Sequence, residues 1–145
     1  MTATNHALTG AAVATVLRQP LLIVPVAFAS HFVCDALPHF KMHHVVGDRI
    51  KWSLLYAEGA LMVVLGLILL AIGVHQPVWL LIVAALIAMS PDVAWYYYGR
   101  RGIHNDIDKL DPLTRFHSWI QWSETRAGLV LELAWAGLMI GVILK

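Results

Sequence analysis

Cysteine is almost absent: the one residue, Cys34, excludes an intrachain disulfide and any cysteine-rich zinc site, and suits a small apolar packing role. Charge is scarce as well, at 13% of 145 residues, and a net charge of +1 leaves no basic surface for nucleic acid. No repeat or low-complexity tract divides the chain, which reads as one domain, residues 1–145. The first apolar stretch has no basic residue ahead of it, and Arg18 follows rather than leads. It therefore lacks the pattern of a signal peptide and is expected to be a retained helix.

What the chain has in abundance is apolar surface, with 59% hydrophobic residues, a mean hydropathy of +0.70 and long runs at 61–74 and 78–89. Apolar windows of about 17–25 residues suit a bilayer crossing. Four are clear, at residues 20–37, 52–74, 77–98 and 126–144, and a shorter one covers 5–17. The expected fold is all-α, an integral membrane bundle of about five helices: four clear spans plus a shorter N-terminal helix. Loops at 38–51 and 99–126 carry Lys41, Arg49, Lys51, Arg100, Arg101, Lys109, Arg115 and Arg126, most of the basic residues. By the positive-inside rule both loops and the N-terminus are expected in the cytoplasm. Trp52, Tyr56, Trp95 and the tyrosines at 96–98 fall where interfacial aromatic belts form. Pro91, directly before Asp92, should kink the fourth segment.

Within this apolar background His31 and Asp35 stand four residues apart, a spacing that puts both on one helix face. On the expected topology Asp35, Glu58, Asp92 and Glu132 fall at one level. Each isolated carboxylate would cost about 2.5–3.5 kcal/mol at a span centre. Arg100, Arg101 or Arg126 could neutralise some of them, and a divalent cation shared by imidazole and carboxylate is the other remedy. Candidate ligands are His6, His31, Asp35, His39, Asp92 and His117. This donor set suits zinc first, and iron or manganese where oxygen dominates. Glu58 and Glu132 are the candidate general bases. His43 and His44 read as solvated or facing headgroups. His104 with Asp106, Asp108 and Asp111 reads as a solvated acidic patch, since it lacks the glycine and distal glutamate of an EF-hand.

The residues resemble the predicted membrane-bound metal-dependent hydrolases of bacteria and archaea, which include the LexA-regulated inner-membrane hydrolases. His6 matches an early histidine of that family. Ser30-His31 to Asp35 matches its S-H-x-x-x-D segment, Pro91-Asp92 the start of its P-D-x-D-H segment, and His117-Ser118 the end of its T-H-S segment. The order of the segments differs, and Asp92 is not followed by the second Asp and His, which implies fewer metals. An H-x-x-x-D helix with an N-terminal ligand is also similar to the zinc-dependent phospholipase C and P1 nuclease group. The resemblance implies a metal-dependent hydrolase of an ester or phosphoester, such as a phospholipid or lipid-linked substrate, at the cytoplasmic face of a bacterial or archaeal inner membrane. Lys41, Arg49, Lys51, Arg100 and Arg101 would hold an anionic headgroup. The rival readings are a proton or cation pathway, a structural membrane protein with ion-paired acids and, as a minor option, haem binding.

Overall fold

Prolines and polar breaks cut the apolar sequence into shorter helices than its runs suggest. The computed structural model describes residues 1–40, 48–103 and 106–145, and the side chains among these except at 48–52 and 54. His43, His44 and His104, and the side chains of Lys41, Arg49, Lys51 and Trp52, lie outside the described residues. Helix α1 runs Ala3–Leu17 and α2 Pro20–Ala36. Between them Arg18 adopts the left-handed conformation at φ 57°, its N–H donating to the Ala14 carbonyl, and Pro20 opens α2 where a missing N–H costs least. Pro38 disfavours helical backbone at Leu37, which is extended at ψ 154°, and so ends α2.

Strand β1 (His39–Phe40) pairs in parallel with β2 (Glu124–Thr125), a two-residue ladder in an otherwise helical fold. Helix α3 covers Asp48–Ile72 and turns at Gly73, whose φ of 85° favours glycine, into α4, Val78–Met89. Helix α5, Asp92–Arg100, follows α4 after Ser90-Pro91 at an angle of 50°, the kink expected at Pro91. Helix α6, Pro112–Ile120, starts at Asp111, whose carboxylate accepts the N–H groups of Leu113 and Thr114 at 2.9 and 3.1 Å. Helix α7 is Gly128–Ile143.

Helix α1 is the hub, packed on α2, α4 and α7. Its Leu8, Ala11, Ala12 and Ala14 meet Ile23 and Ala27 of α2, Leu80, Leu81, Ala84 and Ala88 of α4, and Ile143 of α7. The residues are mostly small, so the helices pack closely. A Cβ placed on Gly10 would stand 2.3 Å from the Ala84 carbonyl oxygen.

The expected bundle of about five membrane-crossing helices does not form. Among the described residues one helix has a stretch long and apolar enough to cross a membrane, Leu55–Ile72 of α3, or two if bent α4 and α5 count as one. Helices α1, α2 and α7 have 15, 17 and 16 residues. At 1.5 Å per residue these reach about 22–26 Å, short of a hydrocarbon core of about 30 Å. A hydropathy window registers neither where a helix breaks nor whether its apolar face is already used. In α1 that face is consumed inside the protein. In Leu55–Ile72, by contrast, no residue is buried. The assignment of loops and N-terminus to the cytoplasmic side depended on alternating crossings, and a single span does not carry it.

Candidate metal centre

Three helices converge where α2 ends and the α4–α5 bend begins. Helix α2 delivers His31 and Asp35 on one face, α5 delivers Asp92 from its first turn, and α6 delivers His117 from its last. One ligand atom from each can be chosen so that all four lie within 4.8 Å of one another. His31 Nε2 is 2.9 Å from His117 Nε2, 3.3 Å from Asp35 Oδ2 and 3.7 Å from Asp92 Oδ1. His117 Nε2 is 2.6 Å from Asp35 Oδ2 and 3.8 Å from Asp92 Oδ1. Donors bound at about 2.1 Å to one tetrahedral zinc stand about 3.4 Å apart, so the group needs only a small opening of His117 away from Asp35 and His31 to accept an ion. His31, Asp35, Asp92 and His117 could thus hold a metal ion. The His31, Asp35 and His117 side chains are fully buried, and Asp92, 35% exposed, forms the open side.

The supporting hydrogen bonds set the tautomers. His31 donates Nδ1–H to the Ala88 carbonyl at 2.7 Å, which turns the lone pair of its Nε2 into the cluster. Trp95 donates its indole N–H to His117 Nδ1 at 3.0 Å. The proton of neutral His117 therefore sits on Nε2, where it is donated to Asp35, and a cation bound there must displace it. Gln121 donates to Asp35 Oδ2 at 3.2 Å. Burial alone would favour the neutral form of Asp35. The imidazoles of His117, His31 and His6 around it more than offset this and hold its carboxyl well below the usual carboxylate range.

His6 lies beside the cluster rather than in it. Its ring stacks on that of His31 at 3.9 Å, and its Nε2 is 3.1 Å from Asp35 Oδ1 but off the line of a hydrogen bond. Both of its ring nitrogens are buried and have no hydrogen-bond partner among the described residues. The Met1 amino group also contacts Asp35 Oδ1. His39 is placed elsewhere: it donates Nδ1–H to the Leu37 carbonyl at 2.8 Å and faces Glu124 at 3.8 Å across the β1–β2 pair.

The two glutamates brace α1. Glu132 accepts the Phe40 N–H on Oε1 at 2.9 Å, and on Oε2 the Thr2 N–H at 3.2 Å and the Asn5 amide at 3.1 Å. Glu58 Oε1 accepts the Thr4 N–H at 3.0 Å. Of the four acids expected in an apolar environment, Glu58 and Glu132 are thus satisfied by amide donors and Asp35 by His117, while Asp92 is partly exposed. Trp95 and Gln121 are partners that the sequence reading did not include. Trp95 follows Asp92 by three residues and Gln121 follows His117 by four, so helical spacing alone places each on its neighbour's face.

Compared with protein-family models, with curated proteins and with solved structures, the chain matches none. The case for its chemistry is the geometry of this centre.

Proposed function

We propose that the protein binds a divalent cation, zinc above iron or manganese, between His31, Asp35 and His117, and hydrolyses an ester or phosphoester there. The observation that carries this is the convergence of two imidazoles and two carboxylates in one group with a single open side. Two histidines and a carboxylate with one free position are the donor set of many hydrolytic zinc sites. A cation held there would polarise a water, and Asp92, on the open side, would take its proton. The water oxygen would bond to the carbonyl carbon or phosphorus as the bond to the leaving oxygen breaks. Asp92 would return the proton to that oxygen, which departs as the alcohol. Attachment is to the cytoplasmic membrane through α3, where phospholipid or lipid-linked substrate is at hand. Arg100 and Arg101, exposed at the far end of α5, meet the anionic headgroups.

The test is metal analysis of purified protein, together with hydrolysis of a phosphodiester and a carboxylic ester before and after EDTA. One equivalent of metal, activity lost in EDTA and regained with zinc, and loss of both metal and activity in His31→Ala and Asp35→Ala are expected. Metal-free protein with thermal stability indifferent to EDTA and to added zinc would refute the reading.

A further inference from the structure

Helix α3 stands off from its neighbours and leaves an apolar groove of about 440 Å³ between itself, α1 and α4. Its walls include Ala7 and Ala11 of α1, Gly59 and Gly66 of α3, and Ala85 and Leu86 of α4. Gly59 and Gly66 are seven residues apart, on one face of α3, and a Cβ on either would meet nothing within 4 Å among the described residues. Each costs α3 about 1 kcal/mol of helix propensity relative to alanine, and together they widen the slot. The lining runs from Gly59 to Leu70 on α3 and from Val78 to Met89 on α4, about 16 Å at 1.5 Å per residue.

One end of this slot adjoins the metal centre. Met89 follows Ala88, whose carbonyl holds His31, and Thr4 is one turn from the cluster side of α1, next to Glu58. Thr4 is also the one polar residue of the lining, and its buried hydroxyl makes no hydrogen bond among the described residues. The other end is lined by the aliphatic side chains of Leu70, Val74 and Val78.

The geometry points to an acyl chain of a membrane lipid as the occupant, its ester or phosphoester held at the Thr4 end and so presented to the His31, Asp35, Asp92 and His117 cluster. The lining favours an acyl chain over a helix from a second copy: it is aliphatic along about 16 Å with its one polar residue, Thr4, at the cluster end, which matches a single apolar tail carrying a polar group at one end. The source is adjacent, because Leu55–Ile72 forms one wall and carries no buried residue of its own. The fate of the headgroup rests on the hydrolase reading, while occupation of the groove does not.

The experiment uses the full chain in detergent, with a dansylated undecanoic acid as fluorescent probe and dioleoyl phosphatidylglycerol as competitor. The probe is expected to bind and to be displaced by the lipid. Gly66→Phe and Ala85→Phe, on opposite walls, should each weaken probe binding about tenfold or more, with zinc uptake unchanged, and Gly66→Ala should retain it. Failure of the wild type to bind the probe, or equal binding by both phenylalanine variants, overturns the proposal. A dimer in light scattering that both variants dissociate assigns the groove to a second copy and overturns it too. Binding lost in the variants with no ester cleaved by the wild type leaves the groove standing and removes the hydrolase reading. Cleavage of dihexanoyl but not dioleoyl lipid, with no probe bound, does the reverse.

Discussion

Replacing Gly10 with alanine adds one methyl group where α1 crosses α4, and its effect should reach the metal centre. The new Cβ would lie 2.3 Å from the Ala84 carbonyl oxygen and 2.8 Å from Ala88 Cβ. Carbon and carbonyl oxygen normally approach to about 3.3–3.6 Å, so the two helices must separate by about 1 Å. Overpacking of this kind costs about 1–3 kcal/mol, offset by about 1 kcal/mol of improved helix propensity. The displaced α4 also carries the Ala88 carbonyl, which accepts from His31 Nδ1 at 2.7 Å. An ångström of movement breaks that bond, at about 1 kcal/mol, and frees the His31 ring. Loss of such a supporting contact typically weakens a metal site 10–100-fold. Thermal unfolding and zinc titration of Gly10→Ala should therefore show a melting temperature lowered by a few degrees and zinc affinity reduced at least tenfold. Gly137→Ala on α7, where a Cβ meets nothing within 4 Å, is the control and should be neutral or slightly stabilising. If Gly10→Ala behaves like Gly137→Ala in both assays, the argument that this crossing positions His31 is wrong.

Trp95→Phe keeps an aromatic ring but removes the N–H that holds the His117 proton on Nε2; Nδ1 is then free to carry that proton when a cation takes Nε2, so zinc affinity should rise in calorimetric titration, and a fall would contradict the tautomer assignment. Glu132→Gln sets an amide NH₂ among the Phe40, Thr2 and Asn5 donors and should destabilise by about 1–3 kcal/mol in urea unfolding; an unchanged midpoint would remove the bracing role. Asp111→Ala removes the cap of α6 and should cost about 1 kcal/mol at pH 7. The Thr114 hydroxyl bonded to Asp111 holds its carboxyl below the usual carboxylate range. The unfolded chain therefore binds this proton more readily, and the wild-type advantage is complete above about pH 4 and shrinks as pH falls further. Urea midpoints for the pair at pH 7 and pH 3 check the sign; a gap that widens in acid would contradict it.

The centre was legible where its chemistry is local. His31 and Asp35 share a face by spacing alone, and Pro91 marks the bend that aims Asp92. Asp92 and His117 were named from depth and resemblance, and the structure brings both to the same group. What failed was the inference from apolar composition to membrane crossing. Alanine, glycine and leucine in α1 suit a bilayer and a tight helix crossing equally well, and only packing distinguishes them. The role of Glu132 was hidden for a different reason. Two of its three partners are main-chain N–H groups, at residues 2 and 40, which are invisible to any reading of side-chain types.

These long-range attachments also bear on the order of events during synthesis. His31 waits for His117, 86 positions later, and the start of α1 waits for Glu132, about 130 positions later. No fragment that ends before His117 contains the finished centre, however well α1 and α2 form within it. Contacts this distant close late, after the local helices. Metal loading should therefore follow completion of α6. A chain truncated before His117 should leave Asp35 and His31 without that partner in an apolar surface, the kind of defect by which quality control recognises unfinished protein.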